Sequence, residues 1–360
     1  VRILMEFTMG NSMLPRPLQN SRFLTRKSLL LSIKVIIAVV IIGLLARYSQ
    51  LNLSLMYSFI EYPFSSLVIV GLCYVMVILH AWRWYRLNSV QGINLSFQQT
   101  IMPTYLGVAF NTVLPGSVGG DFVRLYYVIR RFSAQKTKAA FAILVDRLSG
   151  LLGIFTIGCI VAPYYMHTYN DNATLKQIVY ICSAVSIGVI VGFGFLMLLS
   201  AERIGFLHWT MKISQRYTFL RPFVPFLEAI VMYKNAKWVV IESLIVSIAT
   251  QLLLLIVLII ISKMMSLPLI PAVDYMLAMV VGQVANLIPV TPGGVGIGEA
   301  AFSNTITLIH PGTVSAYATI FFAVRLISAL AYFPGILIGV FSNHLYAGVR
   351  NESSEIPLNV

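Results

Sequence analysis

Charge is scarce in this chain. Only 10% of its 360 residues are Asp, Glu, Lys or Arg, 58% are hydrophobic, and mean hydropathy is +0.86. A soluble globular domain carries about a quarter charged residues, so a water-soluble protein is excluded. Acidic residues are rarest, 12 against 25 Lys and Arg, for a formal net charge of +13. In a soluble chain that excess points to nucleic acid. In a membrane chain it points to basic cytoplasmic loops beside anionic lipid, and no nucleic-acid partner is expected. The three cysteines, Cys73, Cys159 and Cys182, stand in apolar runs without C-x-x-C or Cys/His spacing, which supports neither a disulfide framework nor a zinc site. His80, His167, His208, His310 and His344 are scattered, and H-E-x-x-H, G-x-S-x-G and Walker loops are all missing. The longest hydrophilic stretch, 201–238, is shorter than the roughly 50 residues of the smallest folded domains. The chain is therefore expected to be no enzyme, with no cofactor and no metal.

Long apolar runs are what the sequence does have. A helix needs about 20 mostly apolar residues to cross the hydrocarbon, and six segments qualify: about 29–48, 63–82, 139–162, 177–200, 239–262 and 314–341. The first follows Arg16, Arg22, Arg26 and Lys27 but is too long for a signal-peptide core, and no A-x-A site follows it. Segments 98–131 and 272–311 are apolar too, but each is interrupted by a cluster rich in Pro and Gly, 115–120 in one and 289–298 in the other.

With the N-terminus inside, the inner segments hold 19 of the 25 basic residues, which places both termini in the cytoplasm. The broken segment 98–131 then has both ends inside, and 272–311 has both outside. These are expected to be re-entrant hairpins dipping from opposite faces, since broken backbone at such depth must be buried in protein or line a watery cavity. Residues 1–28 form a cytoplasmic segment, 29–341 one transmembrane domain, and 342–360 a cytoplasmic tail. Segment 201–238, with six basic residues among Trp209, Phe219, Phe223 and Phe226, reads as an interfacial stretch on an anionic leaflet. Gly188–Gly192 and Gly335–Gly339 fit the spacing for close helix packing.

The two broken segments resemble each other. Pro115-Gly-Ser-Val-Gly-Gly-Asp121 and Pro292-Gly-Gly-Val-Gly-Ile-Gly-Glu299 both read P-G-x-V-G and then a carboxylate. Asp121 to Arg147 is 26 residues, and so is Glu299 to Arg325. An inverted repeat follows, about 63–162 and 239–341, with binding residues on broken helices at its interface, as in many secondary transporters.

An ionisable side chain deep in a bilayer costs at least ~2.5–3.5 kcal/mol on insertion scales, so one that is kept is a functional candidate. Asp121, Arg147, Glu299 and Arg325 are such residues, with Asp146 adjacent. Gly116, Gly119, Gly120, Gly293, Gly294 and Gly296 let backbone N–H groups approach a ligand, and a helix restarting there presents a positive end. Arginine fits phosphate oxygens in pairs. A lipid phosphate held by Arg147, Arg325 and the glycine turns is one reading. Ion pairs that lock each hairpin to its following span are the other. Arg124 either joins the site or snorkels to head groups. Asn111 and Asn286 are expected to satisfy backbone groups freed at the turns.

The run Asn111 to Arg124, the Asp146-Arg147 pair and the run Pro292 to Glu299 together resemble the lysylphosphatidylglycerol synthase transmembrane, or flippase-like, family over about residues 30–341. That resemblance implies an all-α integral protein of the prokaryotic cytoplasmic membrane that moves lipids between leaflets. Bifunctional members carry a soluble aminoacyl-transfer domain after the membrane part. Here a short polar tail runs to Val360, and a stand-alone member without synthase activity is expected. The leading reading is a flippase or scramblase for a phosphate-containing lipid. The alternatives are a non-catalytic partner of a lipid-modifying enzyme or glycosyltransferase, and a lipid head-group enzyme using Asp121 or Glu299 as base.

Overall fold

The computed structural model describes residues 52–113, 119–132, 135–168, 173–198, 232–233, 236–288, 291, 295–311 and 316–341. The expected first span 29–48, the terminal segments, nearly all of 201–238, and Gly116, Gly293 and Gly294 lie outside them. Among the described residues the chain is helical throughout, with no strand. After a short helical lead-in at Leu53–Glu61 come α1 Pro63–Val90, α2 Phe97–Val113, α3 Gly119–Arg131, α4 Lys136–Thr168, α5 Ala173–Leu198, α6 Lys237–Met264, α7 Ala272–Ala285, α8 Ile297–Ile309 and α9 Tyr317–Phe341. Among the described residues, four stretches are long and apolar enough to cross a membrane: α1, α4, α6 and residues Tyr317–Pro334 of α9.

Local sequence sets the ends. Pro63 opens α1, where its missing N–H and fixed φ cost nothing. Gly92, at φ +70°, closes it in the left-handed region that favours glycine. Nothing between them stops the helix, so α1 continues eight residues past the expected end at 82. Arg83 and Arg86 therefore belong to a helix and not to a loop.

Both broken segments fold as helical hairpins, α2 with α3 and α7 with α8. In the first the backbones touch. A Cβ on Gly120 would stand 2.0 Å from the Gly107 carbonyl oxygen, so only glycine permits this approach. The Asn111 side-chain oxygen accepts the Gly120 N–H at 2.8 Å, satisfying one of the donors that a helix start leaves open. In the second, a Cβ on Gly282 would lie 3.1 Å from the Gly298 carbonyl oxygen, and one on Gly298 would lie 2.2 Å from Asn286 Oδ1. Gly188, by contrast, has nothing within 4 Å of an added Cβ, so among the described residues no helix packs closely on it. Close packing occurs instead where α4 meets α6, at Gly153 against Ser247.

The hairpins are wedged among the long helices. α2 packs on α1 and on α9, and α7 on α6 and on α4. α3 lies against α4, α8 against α9, and α1 runs beside α6. The core at these contacts includes Cys73, Ile154, Leu258, Ala278, Phe302 and Ile320, all less than a tenth exposed. Lipid-facing positions such as Leu67, Ile160, Ile245 and Leu330 stay exposed. The few described residues of segment 201–238 include Tyr233, which is buried and donates from its hydroxyl to the Leu87 carbonyl at 2.9 Å. Burial pushes its phenol pKa up.

Candidate functional site

Each hairpin places its carboxylate against the arginine 26 residues on. Arg147 lies 11 residues into α4, roughly 17 Å from its start, and Arg325 eight residues into α9, roughly 12 Å, at 1.5 Å per residue. Arg147 Nε donates to Asp121 Oδ2. Arg325 Nε lies 3.1 Å from Glu299 Oε1, and Arg325 Nη2 donates to Asn286 Oδ1 at 3.4 Å.

The two pairs differ in how they are held. Glu299 is 1% exposed, and its Oε2 accepts the Gly296 N–H at 2.7 Å, which ties the carboxylate to its own helix start. Gly296 has φ +89°, the left-handed region again, so this turn needs glycine. The first pair is more open: the Arg147 side chain is 35% exposed and that of Asp121 16%. It closes one end of a groove of about 240 Å³ between α3 and α4, whose other walls are Phe122, Leu125, Ala140, Ile143 and Leu144. The groove is apolar apart from that pair. Phe122 and Leu144 stand exposed on its open side.

Beneath the groove lies a second cluster. Asp146 takes Arg83 Nε on one oxygen at 2.7 Å and Arg124 Nη1 on the other at 3.0 Å. Arg83 also donates through Nη1 to Ser247 Oγ at 2.7 Å, which joins α1, α4 and α6. The Arg124 guanidinium sits over the Trp84 ring, 5.5 Å from its centroid. All three charged groups are at most 6% exposed. Arg124 is thus buried in the protein and does not snorkel to head groups. Both Asp146 oxygens are already occupied by arginine, and Gly119 and Gly120 are buried at the start of α3.

Among the described residues, three arginines, Arg83, Arg124 and Arg147, meet two carboxylates, Asp121 and Asp146, with both Arg83 and Arg124 on Asp146. Arg325 faces Glu299 alone among the charged groups described there. An arginine beside an apolar groove suits an anionic group attached to a hydrocarbon tail.

Ending the span at residue 82 left Arg83 outside it and hid its partnership with Asp146. The absence of any Pro between Pro63 and Gly92 was the available signal. A further cluster, Asp274 with His310 and Tyr165, carries no recognisable spacing, because its members come from α7, the end of α8 and α4. Among the described residues no group of three or more His, Cys, Asp or Glu could hold a metal ion.

Neither the curated proteins nor the solved structures include a match to this sequence. The model of one family, described as the lysylphosphatidylglycerol synthase TM region, matches residues 29–339, which takes in both hairpins and both carboxylate–arginine pairs. The chain belongs to that family of multi-pass membrane domains.

Proposed function

We propose that this protein is a lipid transporter of flippase or scramblase type, which moves a phosphate-containing lipid between the leaflets of a prokaryotic cytoplasmic membrane without chemical change to it. The observation that carries this reading is the apolar groove between α3 and α4 lined also by the Asp121–Arg147 pair. The tails would lie along Phe122, Leu125 and Leu144, while the phosphate would meet Arg147 in place of Asp121. Asp121 would hold the arginine when no lipid is bound and release it to the phosphate.

Alternating exposure requires two comparable halves. Exchanging α1–α4 for α6–α9 turns each packing pair into another that also exists: α1–α2 into α6–α7, α2–α9 into α7–α4, and α1–α9 into α6–α4. Gly107 and Asn111 recur 175 residues later as Gly282 and Asn286, and Gly120, Asp121 and Arg147 recur 178 residues later as Gly298, Glu299 and Arg325. These correspondences support an inverted repeat of two re-entrant hairpins, with both termini cytoplasmic. The two pairs differ chiefly in the carboxylate, 16% exposed at the Asp121 side chain and 1% at Glu299, which fits one half being more accessible than the other.

Mass spectrometry of lipids retained by the purified protein tests this reading. Phosphate-bearing lipids should be enriched over the membrane extract and depleted in Arg147→Gln that folds normally. Retention of the same lipids in the same proportions by both would overturn it.

A further inference from the structure

At the end of the bundle formed by the C-termini of α4 and α6, opposite the Arg86–Glu242 pair, lies a buried carboxylate with a job of its own. Asp274, in the first turn of α7, is 1% exposed. Its Oδ1 accepts the Tyr165 hydroxyl of α4, and its Oδ2 lies 2.7 Å from Nε2 of His310, the residue that closes α8. These contacts tie the entry of the second hairpin to its exit and both to the other half of the molecule. The His310 side chain is 28% exposed and the Asp274 side chain 1%, so a proton from water reaches the carboxylate by way of the imidazole. Among the described residues, the other titratable groups near this end include the exposed Glu61. The Tyr275 hydroxyl donates to Ser262 Oγ of α6, Tyr317 of α9 donates to the Pro268 carbonyl, Lys176 of α5 is half-buried, and Lys263 and His167 are exposed.

We infer that Asp274, His310 and Tyr165 form a proton-binding site that clamps the open end of the second hairpin. Proton uptake turns the neutral imidazole into an imidazolium facing a carboxylate and converts an ordinary hydrogen bond into a charge-assisted one. Loss of the proton leaves a buried carboxylate with weaker compensation, and the ends of α7 and α8 loosen. Histidine is the residue whose charge ordinarily changes between pH 5 and 8. The inference does not depend on lipid transport. Under the transport reading, it supplies a proton taken from the aqueous phase on this side.

Hydrogen exchange on the full chain in lipid nanodiscs tests it. With rates corrected for intrinsic chemistry, the amides of Asp274, Tyr275 and His310 should exchange about tenfold faster at pH 8 than at pH 5.5, the usual gap between neutral and charge-assisted hydrogen bonds. His310→Gln keeps a donor without a titrating charge and should abolish that pH dependence, as should Asp274→Asn. Tyr165→Phe should keep it at lower overall protection. As a check that needs no variant to fold, the His310 ring signals of histidine-labelled wild type should change over the same pH interval in which the three amides lose protection. The same pH dependence in His310→Gln as in wild type, or His310 ring signals that stay constant while protection is lost, would overturn the assignment.

Discussion

Neutralising Asp146 and neutralising Asp121 should have opposite consequences, because one carboxylate is enclosed and the other borders the groove. Asp146→Asn leaves Arg83 and Arg124, each 6% exposed, facing an amide in place of a charge. Breaking a buried ion pair by removing one partner costs about 3–5 kcal/mol, chiefly because the charge left behind stays buried and uncompensated. Here two arginines lose their common partner, so the upper part of that range is expected, offset in part by the Ser247 hydroxyl and the Trp84 ring. Asp121→Asn removes a partner from an arginine whose side chain is already 35% exposed and able to turn into the groove. Its cost should be smaller than that of Asp146→Asn, because one arginine loses its partner here and two do there. The assay is thermal unfolding of the full protein in detergent together with lipid movement in proteoliposomes. Asp146→Asn should unfold many degrees below wild type or fail to accumulate, and Asp146→Asn with Arg83→Met should recover part of the loss by removing one orphaned charge. Asp121→Asn should fold normally and transport poorly. The reasoning is refuted if Asp121→Asn unfolds as early as Asp146→Asn, since the Asp121–Arg147 pair would then be only a structural lock.

Three further outcomes follow from the geometry. Gly120→Ala would put a methyl 2.0 Å from the Gly107 carbonyl oxygen, a backbone clash with no rotamer to relieve it, and should cost several kcal/mol, read as loss of folded protein by size-exclusion chromatography. Gly298→Ala meets the Asn286 side chain at 2.2 Å and should cost less, with Asn286→Ala restoring part of the loss. Leu144→Trp would fill the groove from its exposed side, and should lower lipid retention at an unchanged unfolding midpoint.

Much of this was legible in the sequence because a bilayer restricts what a chain can do. Apolar runs of sufficient length named α1, α4, α6 and α9, and the two Pro/Gly clusters named the hairpins, since interrupted backbone at that depth has few solutions. The pairing of Asp121 with Arg147 and of Glu299 with Arg325 was one of two readings that the equal spacing left open. What spacing could not carry were contacts between distant segments. Arg83 reaches Asp146 across 63 residues and Ser247 across 164, and Tyr165 reaches Asp274 across 109. Arg124 was also ambiguous, because a basic residue one turn after a hairpin tip can point to water or inward. The Trp84 ring and Asp146, which hold it inward, come from other helices. Glycine spacing misled at Gly188 for a related reason: G-x-x-x-G permits close approach but does not supply the neighbouring helix.

The central claim is that Arg147, at the end of the α3–α4 groove, receives the phosphate of a lipid that crosses the membrane. The most direct measurement is the movement of fluorescent lipids between leaflets of proteoliposomes, run with phosphate-bearing phospholipids and isoprenyl phosphates alongside an uncharged diacylglycerol analogue, whose spontaneous movement is subtracted using protein-free vesicles. The account predicts protein-dependent movement of at least one phosphate-bearing lipid and none of the analogue, with Arg147→Gln reducing the rate at least tenfold while folding as wild type. Equal movement by wild type and Arg147→Gln, or no protein-dependent movement of any phosphate-bearing lipid, would contradict it.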